Sequence, residues 1–194
     1  SIMLDIYFNK FLDTGNLENS NLKVAYIDKS QSIEGTYSLI EDIGLLLNRE
    51  KEAEELIREM KNEVQLVVDR VSLLEKVSTY YVAGFGQWGD FTATGDTFIH
   101  EMIEIAGGEN IAKDAKNWTF SVEQLLVNDP SIIILPPTWG STFEQTKKAF
   151  TSYEAYLPLT AVKMDKIYTM DSDILNRQGP RSARAITLLS NIIH

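Results

Sequence analysis

Asn48 to Lys76 reads NREKEAEELIREMKNEVQLVVDRVSLLEK, and its spacing predicts one helix of about 26 residues, or roughly 39 Å. The run holds no Gly or Pro. It is rich in Glu, Lys, Leu, Arg and Met, whose side chains lose little rotamer freedom in a helix. Leu56, Met60, Val64, Val67 and Val71 recur at three- and four-residue intervals, so one apolar stripe must be covered by other parts of the chain. The opposite face carries mixed charges and is expected to be solvated. A short α/β stretch precedes this helix and a longer one follows, so it reads as a strut between two segments.

Working backwards, Ser32 is a candidate N-cap for a helix through Leu47. Leu22–Ile27 alternates apolar and polar residues as a strand does. Asp13–Asn21 reads as a loop and Ile2–Leu12 as a short helix. Working forwards, Ser78–Ala83 is a strand of β-branched and aromatic residues. A glycine-rich loop follows. Thr97–Ala106 is then a helix, capped by Asp96 or Thr94 and stopped by Gly107-Gly108. Ser121 caps a helix over Val122–Val127, which Asn128-Asp129-Pro130 ends. Ser131–Leu135 (SIIIL) is a continuous apolar run, the mark of a strand buried on both faces. Ser141 or Thr142 opens a helix toward Phe150, Lys166–Met170 is a further strand, and Pro180 starts a last helix. This alternation predicts an α/β fold with a parallel sheet from residue 78 onward. Ligands of such sheets sit at the carboxyl ends of the strands, which singles out the loops that begin at Gly84, Pro136 and Asp171.

The composition narrows the function. Of 194 residues, 44% are hydrophobic and 24% charged, as in ordinary globular proteins. The net charge of −10 argues against a nucleic-acid partner, which needs a basic field. There is no apolar run long enough for a membrane span, and the first residues are not expected to act as a signal peptide. Cysteine is absent, so disulfides, thiol catalysis and cysteine-ligated metals are excluded. With His100 and His194 as the sole histidines, no Ser/His/Asp set and no metal site is expected. His100 and Glu104 share a helix face and read as a solvated polar pair.

The aromatic residues are the better signal. Phe85, Trp88 and Phe91 lie in the first ligand-facing loop, Trp118 precedes the second helix, and Trp139 follows the SIIIL strand. Such rings suit a large flat ligand, or else plug the core. Arg177, beyond the last strand, suits an anion or a solvated position equally. Gly84–Gly89 matches the G-x-G-x-x-G spacing of dinucleotide-binding loops. However, Asp90, Thr92, Thr94 and Asp96 separate it from the next helix, and Asp90 and Asp96 would put negative charge near a pyrophosphate.

The runs TGDTFIHEMIEIAGGENIA and WTFSVEQLLVNDPSIIIL, with NRQGPRSARAI near the end, resemble the C-terminal lobe of the substrate-binding proteins of ABC importers for ferric siderophores, haem and cobalamin. The Asn48–Lys76 helix is similar to the rigid helix that joins the two lobes in that family. The likeness covers nearly all of residues 22–194. It implies a remnant of an N-terminal lobe over residues 1–47, an interlobe helix over 48–76 and a Rossmann-like C-terminal α/β lobe over 77–194. Most of an N-terminal lobe is missing from the match, which makes the chain either a fragment or a protein with a reduced lobe. The resemblance further implies a metal-chelate ligand, a ferric siderophore before haem or cobalamin, with Trp118 near an aromatic contact position of the cobalamin binders and Arg177 where siderophore binders present a basic group; the loop reading adds Phe85, Trp88, Phe91 and Trp139 as ligand contacts. It implies no catalysis and no cofactor. Glu123 matches the carboxylate that docks on the permease, although its place in the first turn of a helix is also favourable for any acid. The implied location is outside the cytoplasmic membrane, through a lipid anchor. The incomplete lobe would leave apolar surface and a strand edge that favour self-association. The rival from the residues alone is a nucleotide-dependent α/β enzyme that uses Gly84–Gly89.

Overall fold

The computed structural model describes residues 2–4, 23–25, 32–86 and 89–194. Helix α1 (Ile33–Leu47) begins where Ser32 accepts a hydrogen bond from the Gly35 N–H, and it ends at Asn48 in the left-handed region. That reversal allows α2 (Glu50–Val71) to fold back along α1. Helix α2 has 22 residues, roughly 33 Å, and is shorter than the sequence suggests. It stops because the Ser72 hydroxyl donates to the Asp69 carbonyl and the Leu74 N–H turns back to Val71. Beyond that point the stripe has nothing to pack on, and Leu73 is 95% exposed.

The stripe itself packs as expected. Met60 and Val67 are buried, and Leu56, Val64 and Val71 lie against the same core. Much of the cover comes from the last helix of the chain, α8 (Ser182–Ile193). Arg70 donates to Ser190 Oγ at 2.7 Å and Asn191 Oδ1 at 2.9 Å, and Thr187 Oγ1 donates to Glu63 Oε1 at 2.9 Å. The long helix is therefore part of a packed layer along its length.

The first strand, β1 (Ile2–Leu4), pairs in parallel with β2 (Lys23–Ala25). Ile2–Leu4 is thus not the start of a helix: strand pairing gives its backbone the partners that an isolated short helix lacks. The remainder of the expected helix, the loop after it, and Leu22, Tyr26 and Ile27 lie outside the described residues.

The main sheet has five strands. At its centre, β3 (Val77–Gly84) pairs in parallel with β5 (Gly108–Asn110) on one edge and with β6 (Ile132–Ile134) on the other. Strand β6 pairs in parallel with β7 (Ile167–Tyr168). The one departure from a parallel sheet is β4 (Phe91–Thr92), antiparallel to the end of β3. Side chains alternate between faces, as the period of a strand requires. Tyr81, Ile132 and Ile134 join α1, α2, α3 (Phe98–Ile105) and α8 in one core. Tyr80, Val82, Ile133, Leu135 and Ile167 face the other core. That second core is covered by α4 (Val122–Asn128), α5 (Phe143–Thr151), a 3-10 turn at Glu154–Tyr156 and α6 (Thr160–Lys163). Helix α7 (Ser172–Asn176) lies between β7 and α8.

Two local expectations change. Thr97, not Asp96 or Thr94, caps α3 by accepting from the His100 N–H. The Thr94 and Asp96 side chains instead bond each other and the 117–118 turn. His100 and Glu104 are not an idle polar pair either. The Asn110 side chain donates to His100 Nδ1 at 3.2 Å and its N–H donates to Glu104 Oε1 at 2.9 Å, which fastens β5 to α3.

Candidate functional site

The carboxyl ends of β3, β6 and β7 open on one rim, as the topology requires. There a cavity of about 290 Å³ is walled by residues 81–85 of β3 and its exit, residues 135–139 after β6, and Ser172 and Asn176 of α7. It adjoins an open depression of about 780 Å³ that shares Pro137, Trp139 and Ser172 and adds Thr169–Asp171, Asp173 and Arg177. Each volume is within or near the range of small-molecule sites.

Three of the expected ligand residues meet here. Phe85 forms part of the wall, with its ring set edge-on to Phe150 at 5.2 Å and to Tyr153 at 5.9 Å. Trp139 borders both hollows, and its side chain is fully exposed. Its turn is held from beneath: the Thr138 N–H donates to Thr146 Oγ1 at 3.0 Å, and the Ser141 N–H donates to the Thr138 carbonyl at 2.9 Å. Arg177 stands on the outer rim, 3.4 Å from Asp173 Oδ1 and otherwise largely open to solvent.

The other expected residues lie elsewhere. Phe91 is on β4, where it bridges to Thr119, and the Thr92 N–H donates to the Trp118 carbonyl at 2.9 Å. Both rings are about two-fifths exposed, and neither borders the cleft. Trp88 lies outside the described residues. Glu123 is in the first turn of α4, fully in solvent. Its own N–H and the Ser121 side chain hold its carboxyl below the usual range. The helix is capped without it, because Ser121 and Gln124 exchange hydrogen bonds in a capping box.

The polar groups of the rim include several that the sequence did not flag. Asp171 accepts from the Asp173 N–H at 2.8 Å and so starts α7. Asn176 bonds the Tyr81 hydroxyl beneath the cleft floor, and burial pushes that phenol far up. The segment was expected to be an open loop beyond the last strand, yet a short helix brings Ser172 and Asn176 into the wall. Its Asp-Ser-Asp opening is the signal that could have shown it. Among the described residues no group of three or more His, Cys, Asp or Glu could hold a metal ion.

The glycine-rich loop does not have dinucleotide-binding geometry. After Gly89 the chain enters β4, and α3 begins only at Phe98. Among the described residues, no helix N-terminus therefore meets the loop where a pyrophosphate would need it.

Residues 7–174 match a family described as periplasmic binding protein. The chain belongs to that family. Among solved periplasmic binding proteins, a possible iron-binding (periplasmic solute-binding) protein from Staphylococcus epidermidis superposes with a TM-score of 0.81 at 30% identity, over 93% of this chain and 69% of that one. Among curated relatives, the Bacillus subtilis substrate-binding lipoprotein YvrC is 25% identical over 92% of this chain and 56% of its own length. The haem uptake protein IsdE of Staphylococcus aureus is 28% identical over 78% of this chain and 53% of its own. A cobalamin-binding protein of Halobacterium salinarum is 24% identical over 92% and 49%. The chain thus spans about half the length of the curated relatives it matches.

Proposed function

We propose that this chain carries part of an extracytoplasmic solute-binding protein that captures an iron chelate, a ferric siderophore first, and delivers it to an ABC importer permease. The observation that carries this reading is the cleft at the carboxyl ends of β3, β6 and β7, with Phe85 and Trp139 as its walls and Arg177 on its rim. An exposed tryptophan over an open hollow suits a broad chelate, and Arg177, paired with Asp173 but largely in solvent, suits its negative charge. Haem and cobalamin, which relatives are named for, are the next candidates. Haem ranks lower because no histidine borders the cleft and Tyr81 is buried beneath it.

In this reading Phe91 and Trp118, at the β4 edge outside the cleft, and Trp88, which lies outside the described residues, remain candidate ligand contacts, and Glu123 offers its carboxylate to the permease. Residues 1–47 belong to an N-terminal lobe, 48–76 join the lobes and 77–194 form the C-terminal lobe. The working location is outside the cytoplasmic membrane; among the described residues no helix is long and apolar enough to cross one. Exposed Leu45, Leu46 and Leu47 at the end of α1 support self-association, which light scattering at rising concentration tests.

A tryptophan-fluorescence titration tests the ligand class. The panel is ferric catecholate and hydroxamate siderophores, haemin, cobalamin and NAD, with inner-filter correction and Trp139→Ala as control. Saturable quenching by one chelate, lost in the variant, is the expected result. A response to NAD alone overturns the reading.

A further inference from the structure

Sixty-six residues separate Asp90 from Tyr156, yet the Tyr156 hydroxyl donates to Asp90 Oδ1. The same hydroxyl oxygen accepts from the Gly86 N–H at 3.2 Å. One phenol therefore holds both ends of the turn that runs from Gly86 to Asp90, which the Gly89 N–H closes with a 3.0 Å bond to the Gly86 carbonyl. The phenol is itself packed in the core. Its ring is 2% exposed and stacks on Phe150 at 4.4 Å with planes 8° apart. Phe85, the cleft wall, is the next residue before this turn and packs on the same aromatic group.

The arrangement is costly for a merely structural contact. Asp90 is partly desolvated, which raises its pKa, and no ion pair among the described residues includes it. A buried hydroxyl could have been satisfied by a backbone carbonyl at less cost. A carboxylate in this position instead gives a strong, directional bond that fixes the loop beside the cleft.

We propose that Tyr156 and Asp90 are positioning residues that clamp the Gly86–Asp90 turn and so hold Phe85 in place as the wall of the ligand cleft. The proposal rests on the cleft being the ligand site, and it deepens that reading by adding two residues that touch no ligand. The gain for binding is preorganisation: a wall already fixed does not have to be ordered when ligand arrives.

The test is Tyr156→Phe, read in two ways on the whole chain. Amide hydrogen exchange at Gly86 should become roughly fivefold faster, the worth of one bond to a neutral phenolic acceptor, while exchange in β3 and α8 stays as before. The affinity for haemin, or for whichever chelate the titration selects, should weaken about threefold to tenfold. Asp90→Asn, which keeps an acceptor oxygen, should retain most of the protection, and Asp90→Ala should lose it. Leu189→Ala in the opposite core is the control, since it should lower stability without loosening the turn. Unchanged Gly86 exchange in Tyr156→Phe overturns the clamp. A loosened turn with undiminished affinity overturns its role in binding. If the wild-type chain binds no chelate, the reading of the cleft fails, and the exchange data still decide the clamp.

Discussion

Gly86 and Gly140 both sit at positive φ, 85° and 77°, and comparing their substitution by alanine isolates what the glycine-rich loop is for. A Cβ in the left-handed region costs about 1–2 kcal/mol, and alanine recovers about 0.4–1 kcal/mol by restricting the unfolded chain. At Gly140 a Cβ meets nothing within 4 Å, so Gly140→Ala should cost about 1 kcal/mol or less. At Gly86 the same Cβ would overlap the Tyr153 hydroxyl and lie 2.5 Å from its Cζ and 3.0 Å from its Cε1. Tyr153 is partly held by its edge contact with Phe85, so forcing it aside adds about 1–3 kcal/mol of overpacking. Gly86→Ala should therefore cost roughly 1–4 kcal/mol, or about 2–16 °C in melting temperature for a chain of this size.

Urea unfolding followed by circular dichroism measures both variants, and a double-mutant cycle locates the difference. In a Tyr153→Ala background, the cost of Gly86→Ala should fall to that of Gly140→Ala. Equal losses for the two glycine variants, or a Gly86 cost that survives removal of Tyr153, would refute the reasoning. The outcome also bears on the G-x-G-x-x-G pattern, because a glycine kept small by an aromatic ring needs no phosphate to explain it.

Four further outcomes are expected. Met60→Ala, at a 3%-exposed site where α2 meets its neighbours, should cost about 2–5 kcal/mol in urea unfolding, far more than any exposed change on the same helix. Ser121→Ala should lower stability by about 0.5–2 kcal/mol through loss of the capping box. Glu123→Ala should hardly move the unfolding midpoint or chelate binding, yet should weaken stimulation of the permease in reconstituted vesicles. Asp129 accepts from the Thr160 N–H at 2.8 Å and its hydroxyl at 2.6 Å, which lowers its carboxyl pKa below the ordinary 3.8. A depressed pKa gives stability that is complete above the unfolded value and is lost as pH falls through the folded one. The gap between wild type and Asp129→Asn should therefore be open at neutral pH and close below pH 3.8 in acid-unfolding curves.

What could be read from the sequence follows from how local each signal is. Helices α1, α4 and α5 carry their own caps at Ser32, Ser121 and Thr142, and β6 is an unbroken apolar run, so both kinds of element were visible. The three loops of the cleft followed from strand polarity alone. Strands β4 and β5 were not visible, because two or three residues carry no period and their pairing with β3 is purely tertiary. The separation of Phe91 and Trp118 from Trp139 follows from that omission: β4 draws the first two together at its own edge. Tyr156, Asp90 and Asn176 were missed for a similar reason. Each acts through a partner distant in sequence, and no motif marks such a pair.

The packing also determines what can move. The α1 N-terminus is tied to α3, because Glu101 accepts from the Ile33 N–H at 2.7 Å, and α1, α2, α3 and α8 share one core with the sheet. To hinge α2 away from that sheet would expose Met60, Val67 and the side chains that pack on them, at about 1.5–3 kcal/mol for each large side chain uncovered. Such a motion is too costly to accompany ordinary ligand exchange. The second core grips the Phe85 side of the cleft through Phe150, Tyr153 and Tyr156, while Trp139 stands free on the rim. The cleft thus has one wall fixed by packing and one ring able to adjust. If the cleft is the proposed ligand site, that combination would give orientation from the fixed wall and tolerance of ligand shape from the free one, with adaptation at Trp139 and Arg177 rather than in the helices.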